Sequence, residues 1–327
     1  MLGTFRLVLA LLVALSHAGV KIAGLNPGVV AVVCFYLISG YVMTGLIRGH
    51  YATARRVPHF YADRALRLFP QYLAIAGLTL LWFMCSGQTT AFLRQMPQWT
   101  DLLSNLVVVP LNYYMFNDSD RFTLIPPAWS LGAEIQFYLL MPFLLIFRLR
   151  VVAFVAALAV FMIATWGKID SDIFGYRLLP GVLTFFLLGS FLYDARERRS
   201  AKLIVIGGAL LAGCYALLLS HYGHLMLPYN RETLLGIMIG LPLLHWLGKL
   251  PQHAVDNHLG DLSYGVFLNH FLIQWALIGQ PAGMLMWALY LVASIALSLL
   301  TQRLAERPAL RWRRRVRDKA SALPDVV

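Results

Sequence analysis

Residues 28–47 read GVVAVVCFYLISGYVMTGLI, twenty positions without a single charge, closed by Arg48. Coiled at about 1.5 Å per residue, such a run makes a helix about 30 Å long, the thickness of a bilayer's hydrocarbon core. Similar apolar runs, bounded by charge or turn residues, recur on either side of it at roughly 5–24, 68–86, 129–147, 151–166, 178–193, 203–220, 232–247, 262–279 and 283–300. The pattern predicts an all-α polytopic membrane protein with about ten transmembrane helices. Several runs are nearer to about 16 residues, short for a bilayer but within reach where flanking Arg and Trp side chains snorkel.

Composition agrees. Of 327 residues, 59% are apolar and 13% charged, against about 25% charged in an ordinary soluble domain. That excludes a disordered chain, a fibrous repeat and a typical soluble enzyme of this length. The start of the chain has a competing reading, because Arg6, an apolar stretch from Leu7 to Leu15 and then Ser16-His17-Ala18 also fit a signal peptide with a small-x-small cleavage site. Nine further spans follow and nothing resembles a secreted domain, so residues 5–24 are read as a retained first helix. Between the third and fourth runs, Leu102–Phe116 is half apolar and broken by Pro110, which predicts an interfacial or re-entrant segment.

The charge is lopsided, with 27 Lys and Arg against 15 Asp and Glu and a net charge of +12. With the N-terminus placed in the cytoplasm and ten alternating spans, 21 of the 27 cations fall inside. Lys21, Arg94, Arg121, Lys168, Arg177 and Arg231 fall outside. This positive-inside bias predicts both termini cytoplasmic and accounts for the basic surplus without nucleic acid. Residues 1–312 are expected to form one membrane domain and 313–327 a basic cytoplasmic tail; Arg311, Arg313, Arg314, Arg315 and Arg317 are expected along anionic lipid headgroups. Cys34, Cys85 and Cys214 lie far apart inside apolar runs, without metal-ligand spacing, and read as packing residues.

Function in such a chain is sought among polar groups inside the spans, where each costs free energy to place. His17 follows Arg6 by eleven residues, about 16 Å of helix, in the outer half of the first span. Glu134 enters the same half from the fourth span, and an imidazole held by a carboxylate is the usual form of a general base. An interhelical hydrogen bond is the bland alternative for His17. His270 lies in the middle of the ninth span. Arg64 and Arg67, three apart before the third span, share a helix face; with Arg6 they suit either membrane anchoring or a bidentate phosphate clamp.

At these residues the chain resembles the acyltransferase 3 family of bacterial integral-membrane acyltransferases, from about residue 3 to about residue 312. The resemblance rests on six pieces in order: Arg6 with Ser16-His17-Ala18-Gly19; Phe35-Tyr36-Leu37-Ile38-Ser39-Gly40-Tyr41; Arg64-x-x-Arg67 with Pro70; Trp129-Ser130-Leu131-Gly132-Ala133-Glu134 leading into Phe137-Tyr138 and Pro142; Leu262 to His270; and Glu306-Arg307-Pro308. It departs at Ala31, where many members carry Gly, and no additional C-terminal hydrolase-like domain is expected. The resemblance implies transfer of an acyl group, usually acetyl, from cytoplasmic acyl-CoA to a carbohydrate or polysaccharide hydroxyl at the outer face of the bacterial inner membrane. His17 would then be general base and Glu134 its orienter, with Arg6, Arg64 and Arg67 on the acyl-CoA. Tyr264 and His270 are acceptor-side candidates, His270 standing equally as a structural hydrogen bond. A covalent acyl-His17 intermediate stays open. No metal and no tightly bound cofactor is expected, acetyl-CoA being a cosubstrate. Two other readings stand beside this one. One is a transporter or flippase with His17 and Glu134 as a proton relay, although no inverted halves are visible; the other is an unrelated membrane O-acyltransferase built around His270.

Overall fold

The computed structural model describes residues 1–251, 253–281 and 283–321. It is all-α among these residues. In chain order the helices are α1 (Leu2–His17), α2 (Pro27–His50), α3 (Val57–Ser86), α4 (Trp99–Val107), α5 (Tyr114–Asn117), α6 (Ala128–Ile146), α7 (Arg150–Thr165), α8 (Leu179–Glu197), α9 (Ala201–His221), α10 (Asn230–Lys249), α11 (Ala254–Ile273), α12 (Gly283–Thr301) and α13 (Arg307–Ser321). Six of the described helical segments are long and apolar enough to cross a membrane, and α1 and α7, 16 residues each, are apolar but shorter. Leu203, Leu210, Leu211 and Leu217 of α9, and Met284, Leu285 and Val292 of α12, are exposed. That surface is costly in water and suits lipid. The chain is a multi-pass membrane protein.

The central helix is the run quoted first. α2 lies between α1, α8 and α10, and small residues set how closely: a Cβ at Gly40 would collide with the Phe186 carbonyl of α8, and one at Gly189 with the Leu37 carbonyl of α2. Where lipid removes the hydrophobic drive between helices, such close backbone contact and interhelical hydrogen bonds hold the bundle. Thr44 Oγ1 supplies one of these bonds, to Ser190 Oγ at 2.8 Å.

α1 runs along α11, with Gly3 against Asp256 and Gly260. The first N–H groups of any helix lack internal partners. Here α11 satisfies them, because the Asp256 carboxylate accepts from Gly3 N at 3.1 Å and from Thr4 N and Thr4 Oγ1 at 2.8 Å. The expected first span, 5–24, is corrected at its far end, since α1 stops at His17. Gly19 and Gly24 turn the chain with φ of 93° and 74°. Ser16 Oγ then donates to Asn26 Oδ1 at 2.5 Å, and Asn26 caps α2. His17 is therefore the last residue of a short helix.

The connection 87–128 crosses the same end of the bundle as α4, α5 and short 3₁₀ turns, with Pro110 inside the turn Val109–Tyr113. Buried Asn105 ties it together, donating to the Asp101 and Phe122 carbonyls and accepting from Leu124 N, each at 2.9 Å. At the opposite end, α13 packs on α3. Arg313 and Arg317, expected along lipid headgroups, meet Asp63 instead, Nε to Oδ1 at 2.8 and 2.9 Å. Residues 322–327 of the expected tail lie outside the described residues.

Candidate active site

Two cavities enter the bundle from its two ends. The larger, of ≈ 300 Å³, lies beneath the 87–128 connection and is lined by His17, Asn26, Tyr114, Asp120, Trp129, Tyr176, Arg177 and Tyr229. The smaller, of ≈ 130 Å³, is lined by Arg6, Ser39, Arg64, Arg67, Glu134, Tyr138 and Tyr264. Val32, Ser130 and Phe267 belong to the walls of both, so the cavities adjoin there, at a shared neck of the bundle.

His17 is exposed within the larger cavity. Its Nδ1 lies 2.9 Å from Nε2 of His270, whose own Nδ1 lies 3.0 Å from the Val266 carbonyl oxygen. A carbonyl only accepts, so His270 Nδ1 carries a proton. In a neutral ring Nε2 is then the acceptor, and His17 donates to it from Nδ1. The chain of bonds leaves His17 Nε2 unprotonated, with its lone pair free. The rings lie nearly parallel, 9° apart, with Phe271 packed 5.0 Å from His17.

Opposite the histidines stands Arg177, which closes the π-helical turn Ile173–Arg177 before α8. Asp172 holds its Nε at 2.6 Å and its Nη2 at 3.2 Å. The guanidinium lies 4.9 Å from the Trp129 ring centroid, 5.5 Å from Tyr114, 5.6 Å from Tyr176 and 5.8 Å from Tyr229. Cation–π attraction of this kind fixes a cation where water is scarce. The loop is anchored by Asn112, which donates to the Arg177 carbonyl at 3.0 Å and accepts from Gln136 of α6 at 2.9 Å.

The smaller cavity separates residues that the sequence grouped otherwise. Glu134 does not hold His17; its Oε1 accepts from Ser39 Oγ and, at 2.5 Å, from Tyr138 OH one helical turn on. The partner of His17 is His270. Tyr264, expected beside His270 on the acceptor side, instead lines the arginine-bearing cavity and donates to the Leu68 carbonyl at 3.0 Å. Six helix residues carry it about 9 Å back from His270. The arginines divide too. Arg64 is paired through Nε and Nη2 with Asp63, while Arg67 is paired with Glu306 and, at 3.3 Å, with Asp261. Arg6 has no acidic partner among the described residues. No group of three or more His, Cys, Asp or Glu suited to a metal ion occurs among the described residues.

Sequence reading missed Arg177 as more than an outside charge, and Ser39 as a carboxylate partner. The only signal for Arg177 was an arginine beside Tyr176 at the start of a span, a pattern shared by most interfacial arginines.

The bundle thus holds two adjoining cavities, one lined by cations and the other by the His17 imidazole. The chain belongs to the acyltransferase 3 family, whose acyltransferase-domain model matches residues 2–303, and it is thus an acyltransferase-type enzyme. It is 26% identical over 317 residues to nodulation protein 10 of Rhizobium leguminosarum bv. viciae, covering 88% of this chain and 83% of that protein. An uncharacterised protein of Aquifex aeolicus is 41% identical over 162 residues, 47% of this chain and 72% of its own length. The O-acetyltransferase OatA of Staphylococcus aureus is 30% identical over 133 residues, 38% of this chain and 21% of OatA. No solved structure matches the chain.

Proposed function

We propose that the protein is an integral-membrane O-acyltransferase that moves an acetyl group from cytoplasmic acetyl-CoA to a carbohydrate hydroxyl at the outer face of the inner membrane. The carrying observation is the free Nε2 of His17, in a cavity that shares a neck with an arginine-lined one. In this reading ten spans place both termini in the cytoplasm, the arginine end facing inward and the Arg177 end outward. Arg6 and His17, eleven residues apart on α1, stand about 16 Å apart along the helix. An extended pantetheine arm covers that separation, so the nucleotide stays inside while the thioester reaches the neck.

The acceptor sugar stacks on the aromatic wall of the outer cavity, and its hydroxyl approaches His17. Nε2 takes the hydroxyl proton as the oxygen attacks the thioester carbon. The C–O bond forms, the C–S bond breaks, and the imidazolium returns the proton to the departing thiolate, giving ester and CoA thiol. His270 supports the positive charge by accepting from Nδ1. Glu134, with Ser39 and Tyr138, shapes the pantetheine path. The competing proton-relay transporter requires His17 and Glu134 in one relay, yet they line separate cavities and each has other partners.

Purified protein, labelled acetyl-CoA and envelope glycans test the proposal. The wild type is expected to label glycan, and His17→Ala to bind CoA without transferring. Label transfer that survives His17→Ala refutes the role of His17. Movement of substrate across the membrane without consumption of acetyl-CoA refutes the enzyme.

A further inference from the structure

The family match ends at residue 303, whereas α13 begins at Arg307. Its partner is the Asp63-Arg64 corner of α3, and Arg64 in turn lines the smaller cavity. Asp63 is fully buried and holds three arginines: Arg64 on Oδ2, Arg313 and Arg317 on Oδ1. One carboxylate offsets one of the three cations. Arg67 nearby is matched by Glu306 and Asp261, while Arg6 is unmatched among the described residues. Five arginines thus stand against three carboxylates at this corner, an uncompensated positive charge of about two, on guanidinium groups.

Arg313 and Arg317 are four apart and share one face of α13. Each meets Asp63 through Nε, and Arg317 also reaches the buried Tyr51 hydroxyl. Asp63 has no exposed side-chain surface, whereas 18% of Arg313 and 33% of Arg317 remain exposed. Two partly exposed guanidinium groups fixed by one buried carboxylate make a planar donor set of the kind that binds phosphate oxygens in pairs.

We propose that α13 completes the donor site, Arg313 and Arg317 binding the phosphates of the CoA nucleotide while Arg6 and Arg64 line the path of the pantetheine arm. This rests on the acyl-CoA reading above. It moves the phosphate contacts expected of Arg64 and Arg67 largely onto a helix outside the family match. Asp63 presents the two arginines and prevents their mutual repulsion from splaying α13 away from α3.

The test uses the full chain in nanodiscs of neutral phosphatidylcholine, with two donors. Acetyl-CoA carries phosphates, and S-acetylpantetheine carries none. Losing one charge-assisted contact costs about tenfold, so Arg313→Gln/Arg317→Gln is expected to weaken acetyl-CoA use about 100-fold. Use of S-acetylpantetheine should be unchanged, and Arg313→Lys/Arg317→Lys should recover part of the loss. An equal fall with both donors shows that α13 only supports the fold and overturns the proposal. So does an effect that appears only when anionic lipid is added, which would assign the arginines to headgroups. Calorimetric CoA binding to wild type and variant decides the matter even if no transfer is seen, a result that would instead remove the acyltransferase reading.

Discussion

Replacing His270 tests the chain of bonds that frees His17 Nε2. His270 is fully buried and, among described polar groups, meets His17 Nδ1 and the Val266 carbonyl. In the resting site its bond to His17 joins two neutral rings and contributes about 1 kcal/mol. This also biases His17 toward the Nδ1–H tautomer by a similar amount. In the transition state His17 becomes an imidazolium and the same bond is charge-assisted, contributing about 2 kcal/mol. Only the gain of about 1 kcal/mol lowers the barrier. The expected loss is therefore about 1 kcal/mol, or about fivefold in kcat/KM. His270→Ala is expected to show that loss, whereas His17→Ala loses the base itself, about 100- to 10,000-fold. His270→Gln, whose amide oxygen can accept from Nδ1–H, is expected to recover part of the activity. Because His270 acts through His17, the double variant should be no slower than His17→Ala alone. Steady-state transfer to glycan with all four variants, each checked for an unchanged Tm, supplies the cycle. Losses that multiply in the double variant, or a His270→Ala enzyme within about twofold of wild type, would refute the reasoning.

The acids around Arg67 differ in burial, with 1% of the Glu306 and 41% of the Asp261 side chain exposed. Glu306→Gln is expected to cost about 3 kcal/mol of stability, because it strips a buried charge of its main partner. Asp261→Asn should cost less than about 1 kcal/mol; equal shifts in thermal unfolding would refute this ranking. Trp129→Ala removes the ring closest to Arg177 and is expected to raise the acceptor KM several-fold while leaving CoA affinity unchanged. A change confined to CoA binding would place the acceptor elsewhere.

The membrane architecture was legible because it rests on composition over whole runs. The segment 28–47 becomes part of α2, and each of the other expected runs falls on a helix. Hydropathy says nothing of where a helix stops, which is why the apolar run extends seven residues past the end of α1. The turn after His17 depends on glycine dihedrals and on a bond between Ser16 and Asn26. Pairings between distant helices were equally out of reach. His17 and His270 are 253 positions apart, and a carboxylate such as Glu134 looked the better partner on chemical type alone. A hydroxyl neighbour on α2, Ser39, and one a turn away on α6, Tyr138, claim that carboxylate first. The arginine motif was visible as cations, but its acids come from α11, the turn after α12 and α3 itself.

What the fold adds beyond residue placement is a fixed distance. α1 carries Arg6 in one cavity and His17 in the other, and it is held at both ends. At its start, Asp256 of α11 binds Gly3, Thr4 and the terminal amine of Met1. Near its far end, His270 of the same α11 meets His17, and Tyr290 of α12 donates to the Ala14 carbonyl at 3.3 Å. Gly3 against Gly260 brings the two backbones together near the Asp256 anchor. Sliding α1 by one residue would move His17 about 1.5 Å along the axis and turn it about 100°, out of reach of both His270 and the neck. In the proposed reaction, a donor whose pantetheine arm passes Arg6 and reacts beside His17 needs this rigidity. The arm is flexible, so the protein must supply the constant length. The two ends of α1 are therefore one device: a change at Asp256, beside neither reactant, should displace the base from the thioester and lower kcat more than it weakens CoA binding.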